Sequence, residues 1–151
     1  MYTKVFVAID NSSTARKALE EAIALARALK AELCIAFVAD EAGLMQHGMG
    51  LGSYIDVNKV KADMQNMGNQ LLDEAVAKAT ASGCQAQKLL IESANRRVAE
   101  TLSEAATRWG ANLLVIGAHG VRGVERLLVG SVAENLTRIC SISLLIVRQG
   151  H

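Results

Sequence analysis

Along this chain, short runs of apolar and β-branched residues alternate with longer stretches in which apolar positions recur every three to four residues. Lys4 to Ile9 (KVFVAI) predicts a first strand. Ser12 or Ser13 can cap the segment that follows, where Ala15, Leu19, Ala22, Ile23, Ala26 and Leu29 fall at helical spacing. Glu32 to Ala39 (ELCIAFVA) is almost continuously apolar, as a strand covered on both faces is. Asp56 to Ala81 predicts a long helix, with Val57, Val60, Met64, Met67, Leu71, Leu72, Ala75 and Ala79 on its buried side. Gln87 to Glu92 predicts a third strand, Ala94 to Trp109 a helix, and Asn112 to Gly117 (NLLVIG) a fourth strand. Ser131 to Cys140 then predicts a helix and Ile142 to Arg148 a last strand.

Five strands alternating with four helices argue for one α/β domain over residues 1–151, a parallel sheet covered on both faces. Right-handed crossovers leave few topologies to consider. The chain contains no proline, so its turns rest on Gly, Asn, Asp and Ser. The unusual stretch is Ala42 to Ser53 (AGLMQHGMGLGS), whose four glycines and two methionines suggest a mobile loop or lid.

Composition narrows the picture. Hydrophobic residues make up 51% and charged residues 21%, which excludes a disordered chain. Aromatics are only 3%, so the core has to come from Ala, Val, Ile and Leu. A net charge of +1 gives no long-range field to capture nucleic acid, and the aromatic platforms that stack single strands are missing. No apolar run approaches the roughly 20 residues that span a bilayer, so no membrane partner is expected. The start, MYTKVFVAID, runs into a strand with no charged leader, and the expected location is the cytoplasm. Cys34, Cys84 and Cys140 are widely spaced with no CxxC pair, and they read as buried free thiols in a reducing compartment.

The segment from Gly117 to Asn135 (GAHGVRGVERLLVGSVAEN) carries the candidate chemistry. Gly117 ends the fourth strand, Gly120 and Gly123 follow, and Gly130-Ser131 opens the next helix. A strand, a glycine-rich loop and a helix start can hold phosphate, because backbone N–H groups approach the anion and the helix dipole favours it. Ser131 and Glu134 also make an S-x-x-E capping box. The same glycines can equally serve tight turns, with Ser131 a simple N-cap. Neither G-x-x-x-x-G-K-[ST] nor a G-x-G-x-x-G after the first strand occurs. Spacing alone leaves both readings open.

Gly117-x2-Gly120-x9-Gly130-Ser131 resembles the G-x2-G-x9-G-[ST] signature of ATP-binding members of the universal stress protein family. The resemblance extends along the chain: VAID closing the first strand, SSTARKAL after it, GANLLVIGAHG in the middle, and a final SISLLIV. In members that do not bind ATP the signature is typically degraded; here it is complete. The resemblance implies an open, doubly wound, five-stranded parallel sheet of order 3-2-1-4-5 with four helices, of the adenine nucleotide alpha hydrolase-like kind. In that order strands one and four are neighbours whose connections leave to opposite sides, a topological switch point at which such sheets bind ligands.

By this resemblance, backbone around Gly117, Gly120, Gly130 and Ser131 holds the phosphates of ATP, ADP or AMP, and the Ser131 hydroxyl adds a donor. Asp10 resembles the family aspartate near ribose and phosphates, where Mg²⁺ could also sit; read by itself, it is a carboxylate capping the first helix. Ala8, Ile9 and Val38 are implied to form the apolar adenine slot, although Val38 also reads as an ordinary strand residue. Two departures stand out: Asn11 replaces the glycine that often follows the aspartate, and Ile91 to Val98 (IESANRRV) lacks the family's Gly-x-Pro turn. His119 reads as a solvent-facing turn residue, Arg122 and Arg126 as solvated or reaching phosphates, and Met45 and Met49 as closing over adenine or packing on a second subunit. His47 and His151 have no partners at metal-ligand spacing, so no protein-built metal site is expected.

Two classes of function follow. One is a nucleotide-binding regulatory protein with little or no turnover, since no P-loop lysine and no base apart from Asp10 is present; slow hydrolysis or autophosphorylation is the most it allows. The other is a structural dimer whose partner surface carries the function without nucleotide. Both include a homodimer through the last strand, an apolar edge that invites pairing and through which family members commonly dimerise.

Overall fold

The computed structural model describes residues 1–40, 56–119 and 130–149. Its strands are β1 (Lys4–Ala8), β2 (Glu32–Ala39), β3 (Ala86–Glu92), β4 (Leu113–Gly117) and β5 (Ser143–Val147). The helices between them are α1 (Ser13–Leu29), α2 (Val57–Ala81), α3 (Val98–Trp109) and α4 (Ser131–Ile139). All strand pairs are parallel, in the order β3-β2-β1-β4-β5. The five strands, four helices and sheet order are as expected.

Strand alternation sorts the core into two layers. Val5, Val7, Leu33, Ile35, Phe37, Leu113 and Val115 face one side, where α1 and α2 supply Ala18, Leu19, Ala22, Leu72 and Ala75. Phe6, Ala8, Cys34, Ala36, Leu114 and Ile116 face the other, where α3 and α4 supply Ala99, Leu102, Ala106, Ala133 and Leu136. The central strands are sealed on both faces: Val5, Phe6, Val7, Leu114 and Val115 have no exposed surface. Small helix residues do most of the covering, which lets the helices sit close to the sheet in a chain with few aromatics.

The end of the sheet where the strands begin is clasped by Asn112. Its Oδ1 accepts from the N–H groups of Thr3 and Lys4, each at 3.1 Å, and its own N–H donates to the Lys4 carbonyl at 3.0 Å. These bonds pin β1 to β4 in register. Cys34 and Cys84 are buried free thiols, as expected, whereas Cys140 is only half-buried. Burial pushes the Cys34 thiol up to about 11, against a smaller lowering by the Lys4 charge.

Several element ends differ from the periodic pattern, each for a local reason. Asp56 is the N-cap of α2 rather than its first residue, with its carboxylate accepting from Asn58 and Lys59 N–H groups at 3.1 and 3.3 Å. Val57 and Met67, expected on the buried side, are 46% and 42% exposed. The buried line of α2 instead runs through Gly68, Leu72, Ala75 and Ala79, and Met67 lies about 100° around the axis from Gly68. α3 begins at Val98 rather than Ala94, because Ala94 and Asn95 have φ of 50° and 66°, a left-handed backbone that a right-handed helix cannot pass through. Among the described residues, no helix is long and apolar enough to cross a membrane.

Both sheet edges carry half-buried apolar residues, Leu89, Leu90 and Ile91 on β3 and Leu144 to Ile146 on β5, and β3 adds polar and charged pairs. On β3, Lys88 pairs with Asp73 of α2, Glu92 with Lys61 and Gln65, and Gln87 accepts from the Trp109 indole. Beyond β5, whose Leu144, Leu145 and Ile146 are half-buried, no further strand lies among the described residues.

Gly68 is where α2 meets the sheet. A Cβ there would lie 2.5 Å from Cδ1 of Phe37 and 2.9 Å from Cδ1 of Leu90. Alanine would gain about 1 kcal/mol of helix propensity, but forcing a methyl into this contact costs about 1–3 kcal/mol. Gly68→Ala is therefore expected to lower stability in urea titration; a rise in the midpoint would show that the Phe37 ring yields freely.

Candidate functional site

β1 and β4 run side by side through the middle of the sheet, yet their chains leave in opposite directions, toward β2 and toward β5. The divergence opens the sheet at the carboxyl ends of these two strands, and each side of the opening is built by a helix start.

On the β1 side, Ile9 keeps the strand paired one residue beyond β1, donating its N–H to the Ala36 carbonyl at 2.8 Å. Asp10 follows, half-buried at the lip. Its Oδ1 accepts the Ser12 N–H at 2.8 Å, leaving Oδ2 without a partner among the described residues. Ser12 is the N-cap of α1, its Oγ accepting from the Ala15 N–H at 3.1 Å. Asp10 is thus tied to the helix start through its neighbour's backbone while keeping one carboxylate oxygen for other work.

On the β4 side, the chain passes Gly117, Ala118 and His119. The Ala118 N–H donates to the Val147 carbonyl at 2.8 Å, and the Ala118 carbonyl accepts the Gly130 N–H at 2.6 Å. Gly130 is the N-cap of α4, with φ −61° and ψ 160° and no side-chain cap. The first helical bond is Glu134 N–H to the Gly130 carbonyl, at 2.9 Å. The N–H groups of Ser131, Val132 and Ala133 therefore stand at the positive end of α4 with no side chain capping them, a donor set suited to an anion. Ser131 is exposed at this position.

The expected capping box is corrected here. Ser131 is the first helical residue rather than the cap, and Glu134 reaches forward to Arg138 at 3.0 Å rather than back to the cap. The glycine at 130 takes the cap position, which leaves the helix end open.

The structure also sorts the residues expected to form an apolar slot. Ala8 and Val38 lie on the α3 and α4 face, the former 9% exposed and the latter half-buried. Ile9 packs into the opposite cluster, the one that α1 covers. Beside β2 and β3, Ser93 is 2% exposed and donates its hydroxyl to Asp40 Oδ1 at 3.4 Å. It begins the turn that contains left-handed Ala94 and Asn95. Gly120, Gly123, Arg122 and Arg126, the stretch Ala42 to Ser53 with Met45, His47 and Met49, and His151 lie outside the described residues.

Gly117 does something the glycine pattern did not indicate. A Cβ at 117 would sit 2.9 Å from both the backbone carbon and Oγ1 of Thr14. The missing side chain makes room for the first turn of α1. Thr14 itself, 4% exposed, was absent from the sequence-based candidates, because its partner lies 103 positions away and only the folded topology joins them. Its Oγ1 donates to the His119 carbonyl, and Ser12 Oγ lies 3.4 Å from the same carbonyl oxygen.

Two depressions elsewhere hold less chemistry. One of about 410 Å³ lies between α3 and α4, bordered by Arg96, Glu104, Arg108 and Ile139. Glu104 there accepts from Arg96 and Arg108, and the Arg96 bond chiefly holds its carboxyl below the ordinary value. The other, about 360 Å³, lies where the strands begin, around Arg27, Lys30 and Cys84. Neither touches Asp10 or Gly117. Among the described residues no three His, Cys, Asp or Glu side chains cluster to hold a metal ion.

The profile of the universal stress protein family matches residues 1–148. Universal stress protein YxiE of Bacillus subtilis (strain 168) is 30% identical, over 98% of this chain and 100% of that protein. The crystal structure of a protein from this family from Burkholderia pseudomallei superposes with a TM-score of 0.76 at 31% identity, covering 97% of this chain and 96% of that one. A universal stress protein in complex with cAMP superposes with a TM-score of 0.71 at 27% identity, covering 99% of each.

The Gly117–Thr14 contact yields a direct test. Because the nearest atom is backbone, Gly117→Ala has to move α1 or β4, at a cost of about 1–3 kcal/mol. Calorimetric melting should show a loss of roughly 3–10 °C; an unchanged Tm would mean that the helix shifts without penalty.

Proposed function

The chain belongs to the universal stress protein family, and from that premise we propose that it binds an adenine nucleotide in the opening between β1 and β4. The observation that carries this reading is the convergence there of an open helix start at Gly130 and a half-free carboxylate at Asp10. The 27%-identical relative in complex with cAMP supports adenine as the base. Phosphates accept from the α4 N–H groups at Ser131, Val132 and Ala133, from the Ser131 hydroxyl, and from backbone near Gly117 and Gly120. Asp10 faces the ribose and phosphates, and Ala8, the Ile9 backbone and Val38 border the base. Mg²⁺, if carried, is held chiefly by phosphate oxygens with Asp10 as its one carboxylate.

ATP, ADP and AMP all satisfy this donor set. The protein acts as a regulator in the cytoplasm that reports nucleotide by its bound state, because no lysine stands in the P-loop position before Ser131 and Asp10 is the sole candidate base. Calorimetry with nucleotide-free protein is expected to give micromolar binding of ATP·Mg²⁺. Gly130→Val, whose backbone angles suit any residue, should abolish binding without loss of helix content, and Asp10→Ala should weaken it. Failure of folded wild-type protein to bind ATP, ADP, AMP or cAMP would overturn the proposal.

The protein also pairs with a second copy through β5. Half-buried Leu144, Leu145 and Ile146 on an uncovered edge favour this arrangement, and a two-fold contact satisfies both copies at once. Sedimentation at micromolar concentration should give a dimer, converted to monomer by Leu145→Lys; a wild-type monomer would refute the pairing.

A further inference from the structure

We propose that Thr14 is a positioning residue for the nucleotide opening: its buried hydroxyl fixes the exit of β4 and, through it, the start of α4. Three observations converge on this role. Thr14 is 4% exposed, and a polar group buried that deeply needs a partner, which it finds in the His119 carbonyl. Gly117, two residues before His119, leaves room for Thr14 and for no side chain of its own. Ala118, between them, holds β5 through its N–H and the α4 cap Gly130 through its carbonyl.

The chain of contacts is therefore continuous. Thr14 holds His119, the adjoining Ala118 holds Gly130, and Gly130 sets where the open N–H groups of α4 point. On the other side, Ser12 joins the same point to the carboxylate. Its N–H donates to Asp10 Oδ1 at 2.8 Å, and its Oγ lies 3.4 Å from both Thr14 Oγ1 and the His119 carbonyl oxygen. The two functional halves of the opening, carboxylate and anion-binding helix start, thus share one anchor in the first turn of α1. Packing alone would be served equally by valine, which has the same shape; the hydroxyl is what the His119 carbonyl requires.

The consequence for binding rests on the nucleotide reading above, whereas the structural role does not, and the experiment separates them. Amide exchange of ligand-free protein is followed by NMR for wild type, Thr14→Val and Thr14→Ser. Thr14→Val should speed exchange at the Gly130 amide about tenfold, with the Val7 and Val115 amides of the sheet centre unchanged. Thr14→Ser keeps the oxygen and should hold wild-type protection. Unchanged protection at Gly130 in folded Thr14→Val would overturn the inference, as would an equal loss at all amides in both variants, which marks a merely structural residue. Should the valine variant not fold, Thr14→Ala removes the same hydroxyl with less bulk and is judged by the same comparison. Calorimetry with ATP·Mg²⁺ on the same samples should show about tenfold weaker binding for valine and near wild-type binding for serine. Equal binding by all three would overturn the link to ligand. No binding by wild type would refute the nucleotide reading and leave the exchange data to decide the positioning role.

Discussion

The first turn of α1 lies against the end of β4 so closely that residue 117 can carry no side chain. The architecture of the carboxyl end of the sheet depends on that approach. It brings the α1 start, with its Ser12 cap and Asp10 before it, to the residue from which β4 departs. At the opposite end, Asn112 clasps β1 to β4 with side-chain and backbone bonds. The central strand pair is thus fixed at both ends, once by an amide and once by the absence of a methyl group.

Much of this fold was legible in the sequence, because its elements obey simple periods. Strand β2 matches its expected span, and β1, β3, β4 and β5 differ only at their ends. The sheet order came from the family resemblance and not from periodicity, which cannot say which strands are neighbours. The errors have physical causes. The start of α3 was hidden because Ala94 and Asn95 adopt left-handed backbone without a glycine to announce it. The face of α2 was misjudged at Val57 and Met67, which are exposed, when a glycine at 68 marks the line of contact with Phe37. A hydrophobic side chain at the surface costs little, so composition gives no warning of it.

The candidate site was legible in part. Asp10, Gly117 and Gly130 converge, because a sheet with reversed strand order brings the ends of its two central strands together. What the sequence hid was how each residue contributes. Gly117 reads as a phosphate glycine, yet its missing side chain accommodates a helix; Ser131 reads as a cap, yet the cap is Gly130 and the helix end stays open. Ala8 and Ile9 read as neighbours in one apolar slot, and in the fold their side chains fall in opposite core clusters. Thr14 carries no signal at all in a single sequence, since threonine early in a helix is commonplace and its partner is remote.

The unlike edges of the sheet bear on the fate of the protein at high concentration. Both edge strands offer half-buried apolar residues, Leu89, Leu90 and Ile91 on β3 and Leu144, Leu145 and Ile146 on β5, but on β3 Lys88 and Glu92 bracket them, each engaged with α2. A sheet adhesive on both sides could add copies without limit and grow into a fibre. β3 contains Lys88 and Glu92 and β5 contains no charged residue, so pairing through β5, as proposed above, would leave the charged margins facing outward. Assembly by that two-fold pairing would end at two copies.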